Sequence, residues 1–305
     1  MAPSRDMDEP SLTWRMLAAM ALVALVYAAA ALPAFPAGPV WGAVAVAAAA
    51  TVAVLSARAA DGLVLRAMDA RRVDAAEEPE LHAVLDRLCM SSGLPRPRLA
   101  VSALAAPNAF AAGSGPGSAV VCVTEGLRAR LDPAELAAVL AHETAHVANR
   151  DVLVSAVASF PSLVSGLFLT WWAGLFTGRG RGAAGHALGL LCGIVLLPLG
   201  AVTAVLNAAG TLVLLALSRH RELCADATGA LLTGRPADLA AALDKITDEL
   251  RDASRDDLRA LRAAAPRCVV AARGGGAAGL LSTHPPLRRR RERLAALSWR
   301  LASGG

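Results

Sequence analysis

"VLAHETAHVANRDVLV", residues 139 to 154, sets two histidines four positions apart around a glutamate and then runs into apolar sequence. On a helix, residues i and i+4 share a face one turn apart, so His142 and His146 can hold one ion while Glu143 lies beside them. The helix start is written just upstream. Asp132 stands at the cap, Pro133 at the first helical position and Glu135 where it completes a capping box. The stretch therefore poses two questions at once, a metal site and a membrane segment.

Composition bears on the second. Of the 305 residues, 55% are hydrophobic, and the mean hydropathy of +0.49 exceeds what soluble globular chains show. Aromatic residues make up only 4%, so the excess lies in aliphatic runs that suit helices. Residues 16–57 carry no charge, and "PAFPAGP" (33–39) divides them into segments at 16–32 and 40–57. Each is close to the ~20 residues that cross a ~30 Å hydrocarbon core. Arg5 and Arg15 precede this hairpin and Arg58, Arg66, Arg71 and Arg72 follow it, which places both ends in the cytoplasm by the positive-inside rule. A cleaved signal peptide ending near "YAAAALPA" is the rival for the first segment, disfavoured by the second apolar run that follows at once.

Two further runs are uncharged, Val152 to Gly178 and Ala187 to Ser218. Both are long enough to span, giving about four transmembrane helices in all. The link between them, "RGRGAAGH" (179–186), would put two arginines outside, against the positive-inside rule. Buried core helices or a re-entrant pair are the alternative. Four segments follow: an N-terminal hairpin at 1–57, a first soluble part at 58–151, a second hairpin at 152–218 and a second soluble part at 219–305.

In the first soluble part, "EEPELHAVLDRLCMSSGL" reads as an amphipathic helix with Leu81, Val84, Leu85 and Leu88 on one face, closed near Gly93. "RLAVSAL" (98–104) and "SAVVCVTEGL" (118–127) read as two strands joined as a hairpin around the turn "AAGSGPGS" (111–118). The expected fold is mainly α, an integral membrane protein with a small β-hairpin or sheet in a cytoplasmic domain. The net charge of +5 is almost wholly arginine, with Lys245 the single lysine. Scattered arginines without a stacking platform argue against nucleic acid as a partner. The five cysteines (Cys89, Cys122, Cys192, Cys224 and Cys268) form no CxxC pair and suit a reducing compartment.

Zinc prefers neutral imidazole, keeps one coordination position for water in catalytic centres, and lowers that water's pKa to about 7. A carboxylate that is not a ligand, here Glu143, can then move the proton. Another divalent ion could occupy such a donor set. Candidates for a third ligand are His82, His186, His220, His284, Glu222 and Asp226. If the apolar runs leave and re-enter the same membrane face, the chain re-emerges close to His146, and spacing favours Glu222. Asp226, one turn further on, can accept a hydrogen bond from a ligand histidine. A surface ion pair with Arg219 or Arg221 is the bland alternative.

With these residues in view the chain resembles the HtpX-type membrane zinc metalloproteases, relatives of the CAAX-processing Ste-type proteases. The matching pieces are "PNAFA" (107–111), "VTEGL" (123–127), "ELAAVLAHETAHVANRDV" (135–152), "SRHRELCADATGA" (218–230) and "STHPPLRRRRERL" (282–294). The resemblance implies a gluzincin-type site at the cytoplasmic surface of the cell membrane, on a multi-pass chain that cleaves unfolded or misassembled membrane proteins under stress. It implies one Zn2+ per chain, held by His142, His146 and Glu222, with Glu143 as the catalytic base. Asn108 would line the cleft and clamp peptide backbone, and His284 would stabilise the oxyanion. The family often has glycine where this chain has Ala145, a change a helix tolerates. A non-catalytic membrane scaffold or chaperone of the same fold is the competing function.

Overall fold

The computed structural model describes residues 64–113, 116–149, 151–177, 182–252 and 282–303, with isolated positions between 40 and 62. The N-terminal hairpin expected at 1–57 lies outside these residues, apart from those isolated positions. Two compact units form: one is drawn from Val54–Val154 and Ser218–Gly305, the other from Ser155–Leu217, each with N-terminal residues besides.

The first unit holds a four-stranded sheet of β1 (Ala70–Val73), β2 (Arg98–Ser102), β3 (Ala109–Ala112) and β4 (Val120–Thr124), in the order β1-β2-β4-β3. Here the structure corrects the expected hairpin. β2 and β4 run parallel, with Ala100 opposite Cys122, and β4 pairs antiparallel with the intervening β3, with Phe110 opposite Cys122. The glycine-rich turn therefore joins β3 to β4. β3 escapes a pattern-based reading because "AFAA" lacks the β-branched residues that mark strands, and all four of its residues are buried without alternation. β4 is likewise buried at every position, as a central strand covered on both faces should be.

α1 (Pro79–Ser92) turns Leu81, Leu85 and Leu88 into the core and closes on Gly93, whose φ of 67° is the left-handed cap glycine favours. After the short α2 (Glu125–Arg128) comes α3 (Pro133–Ala148), whose start matches the expected capping box. Asp132 Oδ1 accepts from the backbone N–H of Ala134 and Glu135 at 2.9 Å each, and Glu135 Oε2 accepts from the Asp132 N–H at 3.0 Å. Lys245 of α7 (Pro236–Asp252) donates to the same Glu135 carboxylate at 2.6 Å. α3 packs between β3, α1 and α7, burying Val139 and Leu140 completely. A side chain so buried contributes about 1.5–3 kcal/mol. α8 (Leu287–Ala302) packs on α7.

α3 ends at Ala148 with Asn149 as its cap, and α4 (Asp151–Thr177) begins afresh. The second apolar run is also two helices, α5 (Ala183–Val195) and α6 (Leu197–Thr233), where one span at 187–218 was expected. Pro198 explains the break: it lacks an N–H to donate, and its ring clashes with the carbonyl four residues back. Among the described residues, α6 is long and apolar enough to cross a membrane. Its stretch from 197 to 217 covers about 30 Å at 1.5 Å per residue. In the second unit many apolar side chains of α5 and α6 face outward, Val195 and Val205 being 69% and 68% exposed, while Leu215 and Leu217 are buried.

Candidate metal centre

α3 and the C-terminal half of α6 carry the site. Gly229 lets them meet: a Cβ there would lie 2.8 Å from the His142 backbone nitrogen and 2.9 Å from its Cα. At that close approach Glu222, two turns earlier on α6, comes level with both histidines. His142 Nε2 and His146 Nε2 are 3.1 Å apart, and Glu222 places Oε1 3.4 Å from His146 Nε2 and Oε2 3.8 Å from His142 Nε2. Donors at 2.0–2.1 Å around a tetrahedral ion sit about 3.3 Å from one another. The three side chains thus fit one zinc ion by spacing and by donor type.

Each imidazole offers Nε2 to that point because Nδ1 is engaged elsewhere. His142 Nδ1 lies 3.0 Å from Asp226 Oδ1, and His146 Nδ1 lies 2.6 Å from Asp151 Oδ2. Asp226 is 2% exposed, so the surface ion pair considered from sequence does not form. Arg290 of α8 grips it instead, with Nε donating to Oδ2 at 2.7 Å and Nη2 to Oδ1 at 2.6 Å. Arg290 Nη1 also stands 3.6 Å from Glu222 Oε2. Burial disfavours the Arg290 charge, yet Asp226 beside it keeps the guanidinium above its ordinary pKa.

Glu143 is 1% exposed, and the backbone of Ala111 in β3 lies beside its carboxylate. Burial pushes its carboxyl above the ordinary range, against the pull of His146 and His142. Burial alone would lower the His146 imidazole, but Asp151 and Glu222 outweigh it and raise the group to about 10. Cys122 of β4, below Glu143, is pushed up to about 12 by burial and then by that carboxylate, which leaves it an inert thiol.

His284 places Nδ1 3.1 Å from Glu222 Oε2 and is 5% exposed. Its segment is tied to the site by Arg219, whose Nε donates to the Ser282 carbonyl at 2.9 Å. Asn108 is 2% exposed at the entry to β3; its backbone N–H donates to Thr124 Oγ1 at 2.9 Å and its carbonyl accepts from the Thr124 N–H at 3.0 Å. Its main chain is thus committed to β4. Of the other candidate ligands, His82 accompanies Val73 and Arg96 at the far edge of the sheet, and His186 belongs to α5 in the second unit.

Sequence reasoning missed Asp151, Arg221 and Arg290. Asp151 follows His146 by five residues, a spacing that points away on a continuous helix. Arg290 sits in a run of four arginines that reads as a solvated face, and only its burial distinguishes it.

Two imidazoles one turn apart, a glutamate from a second helix and a further buried carboxylate alongside make a His-His-Glu centre of the kind metallopeptidases build. The chain belongs to peptidase family M48, whose model matches residues 75–298. It is 46% identical to the protease HtpX homolog 1 of Streptomyces coelicolor over 205 residues, 67% of this chain and 65% of that one. To the protease HtpX homologs of Moorella thermoacetica and Pyrococcus abyssi it is 42% and 41% identical, covering 67% and 63% of this chain and 66% and 64% of theirs. The chain thus spans just under two thirds of these curated relatives' length. A crystal structure of S. mikatae Ste24p shares the fold, with a TM-score of 0.52 at 18% identity over 93% of this chain and 64% of that one.

Proposed function

We propose that the protein is a membrane-anchored zinc endopeptidase that hydrolyses peptide bonds in polypeptides, misfolded membrane proteins among them. The convergence of His142, His146 and Glu222 beside the buried Glu143 carries the proposal. Bound zinc would supply a Lewis acid and a water of pKa about 7. Glu143 would take the proton of the attacking water and deliver it to the leaving amine, a role its burial beside both histidines and its raised carboxyl pKa suit. His284, beside Glu222, is the donor available to a developing oxyanion. β3 lies at an edge of the sheet against α3, and an extended peptide can pair with such an edge, with Asn108 fixing its start.

The outward-facing aliphatic side chains of α5 and α6 support multi-pass insertion in the cell membrane, with 152–218 as a hairpin between the two catalytic parts, 58–151 and 219–305. The arginine distribution supports a cytoplasmic site.

Cleavage of casein or a membrane-protein substrate, measured with zinc content in wild type and Glu143→Gln, tests this. Loss of turnover with zinc retained is expected. Proteolysis unchanged in the variant would sink the enzyme, and a wild type without stoichiometric zinc would favour a non-catalytic scaffold or chaperone.

A further inference from the structure

His142 takes its second carboxylate from the helix that carries Glu222, but His146 takes its own from another element. Asp151 is the first residue of α4, and its Oδ2 lies 2.6 Å from His146 Nδ1. Its Oδ1 lies 2.9 Å from Arg221 Nε, and Asp151 itself is 4% exposed. On an unbroken helix, residues five apart are rotated by about 140°, so the interruption after Ala148 is what turns Asp151 onto His146. Arg221 immediately precedes Glu222 on α6.

We propose that Asp151 is a positioning residue of the metal centre, oriented by Arg221, and that together they hold His146 with Nδ1 protonated and the Nε2 lone pair turned toward His142 and Glu222. A neutral imidazole left to itself exchanges between two tautomers and rotates. A carboxylate on Nδ1 selects one tautomer, fixes the ring and raises the basicity of Nε2. The ion pair also ties a ligand on α3 to the residue beside a ligand on α6, so the two helices keep one spacing across the ion. A merely structural role is available to Asp151, because an acidic residue at a helix N-terminus favours the helix dipole. The two roles differ in what they change, namely metal affinity or the stability of the metal-free fold.

The inference rests on the site's reading as a zinc centre. Zinc affinity of the full-length, detergent-solubilised protein is measured by competition with a chromophoric chelator in wild type, Asp151→Asn, Arg221→Lys and Arg221→Gln, together with the melting temperature of each zinc-free form. Asp151→Asn is expected to weaken zinc by about 10–100-fold, more than the accompanying fall in the stability of the zinc-free protein accounts for. Arg221→Gln is expected to show a smaller loss that Arg221→Lys largely restores. Unchanged affinity in Asp151→Asn overturns the proposal, as does a loss fully matched by a fall in zinc-free stability. Should Asp151→Asn fail to fold, Arg221→Gln decides on the same two criteria. A wild type that binds no zinc overturns the zinc centre itself, whereas tight wild-type binding with unaltered variants overturns only the role of Asp151.

Discussion

Arg290 Nε and Nη2 bond the two oxygens of Asp226 at 2.7 and 2.6 Å, and both residues are 2% exposed. The pair anchors the C-terminal helix α8 directly behind His142. Removing one partner of a buried pair leaves the other charge without compensation and costs about 3–5 kcal/mol. Arg290→Ala is therefore expected to lower the melting temperature sharply and to weaken zinc binding. Arg290→Lys, which cannot supply the two parallel hydrogen bonds, should recover only part of either. Thermal unfolding of the three proteins with and without zinc checks both expectations.

Gly229 sits where α6 crosses α3, and an added methyl would meet the His142 backbone at 2.8 Å. The obstacle is main chain, so the helices must separate. Gly229→Ala is expected to cost about 1–3 kcal/mol, the range for overpacking in a filled core. It should also draw Glu222 and Asp226 away from His142. Zinc affinity is expected to fall with stability, and a variant that keeps wild-type affinity would show that α6 can retreat without moving its ligand.

His146, held between Asp151 and Glu222, is raised to about 10, so in the metal-free protein it carries a proton at neutral pH. A group raised on folding contributes stability that is full below its ordinary value near 6.5 and is lost as pH climbs through about 10. Zinc must displace that proton. Zinc affinity is therefore expected to rise by up to about tenfold per pH unit below 10, with about one proton released per ion from His146 near pH 7. Calorimetric titration in buffers of different ionisation enthalpy measures the release, and a count near zero would contradict the geometry around His146.

Val205 is 68% exposed near the middle of the apolar part of α6. In a bilayer that side chain meets lipid, and an arginine there costs about 2.5–3.5 kcal/mol of insertion. Val205→Arg is expected to reduce the alkali-resistant membrane fraction. Unaltered extraction of Val205→Arg would argue that α6 does not span.

The sequence by itself determined the local features of the site. Asp132, Pro133 and Glu135 fix where α3 starts, and the four-residue spacing then puts His142 and His146 on one face, because helical periodicity is a property of the backbone alone. It also determined the apolar runs and, through chain order, that Glu222 and Asp226 were the ligand and carboxylate to watch. Contacts between elements were decided by tertiary structure. The parallel pairing of β2 with β4 depends on β3 entering from the edge, which "AFAA" does not announce. The turn of Asp151 onto His146 depends on a helix break at Asn149, and the selection of Arg290 from its arginine run depends on which face of α8 meets α6. Burial makes each of these choices: a charged side chain declares its role only once its neighbours have removed it from water and left it one partner.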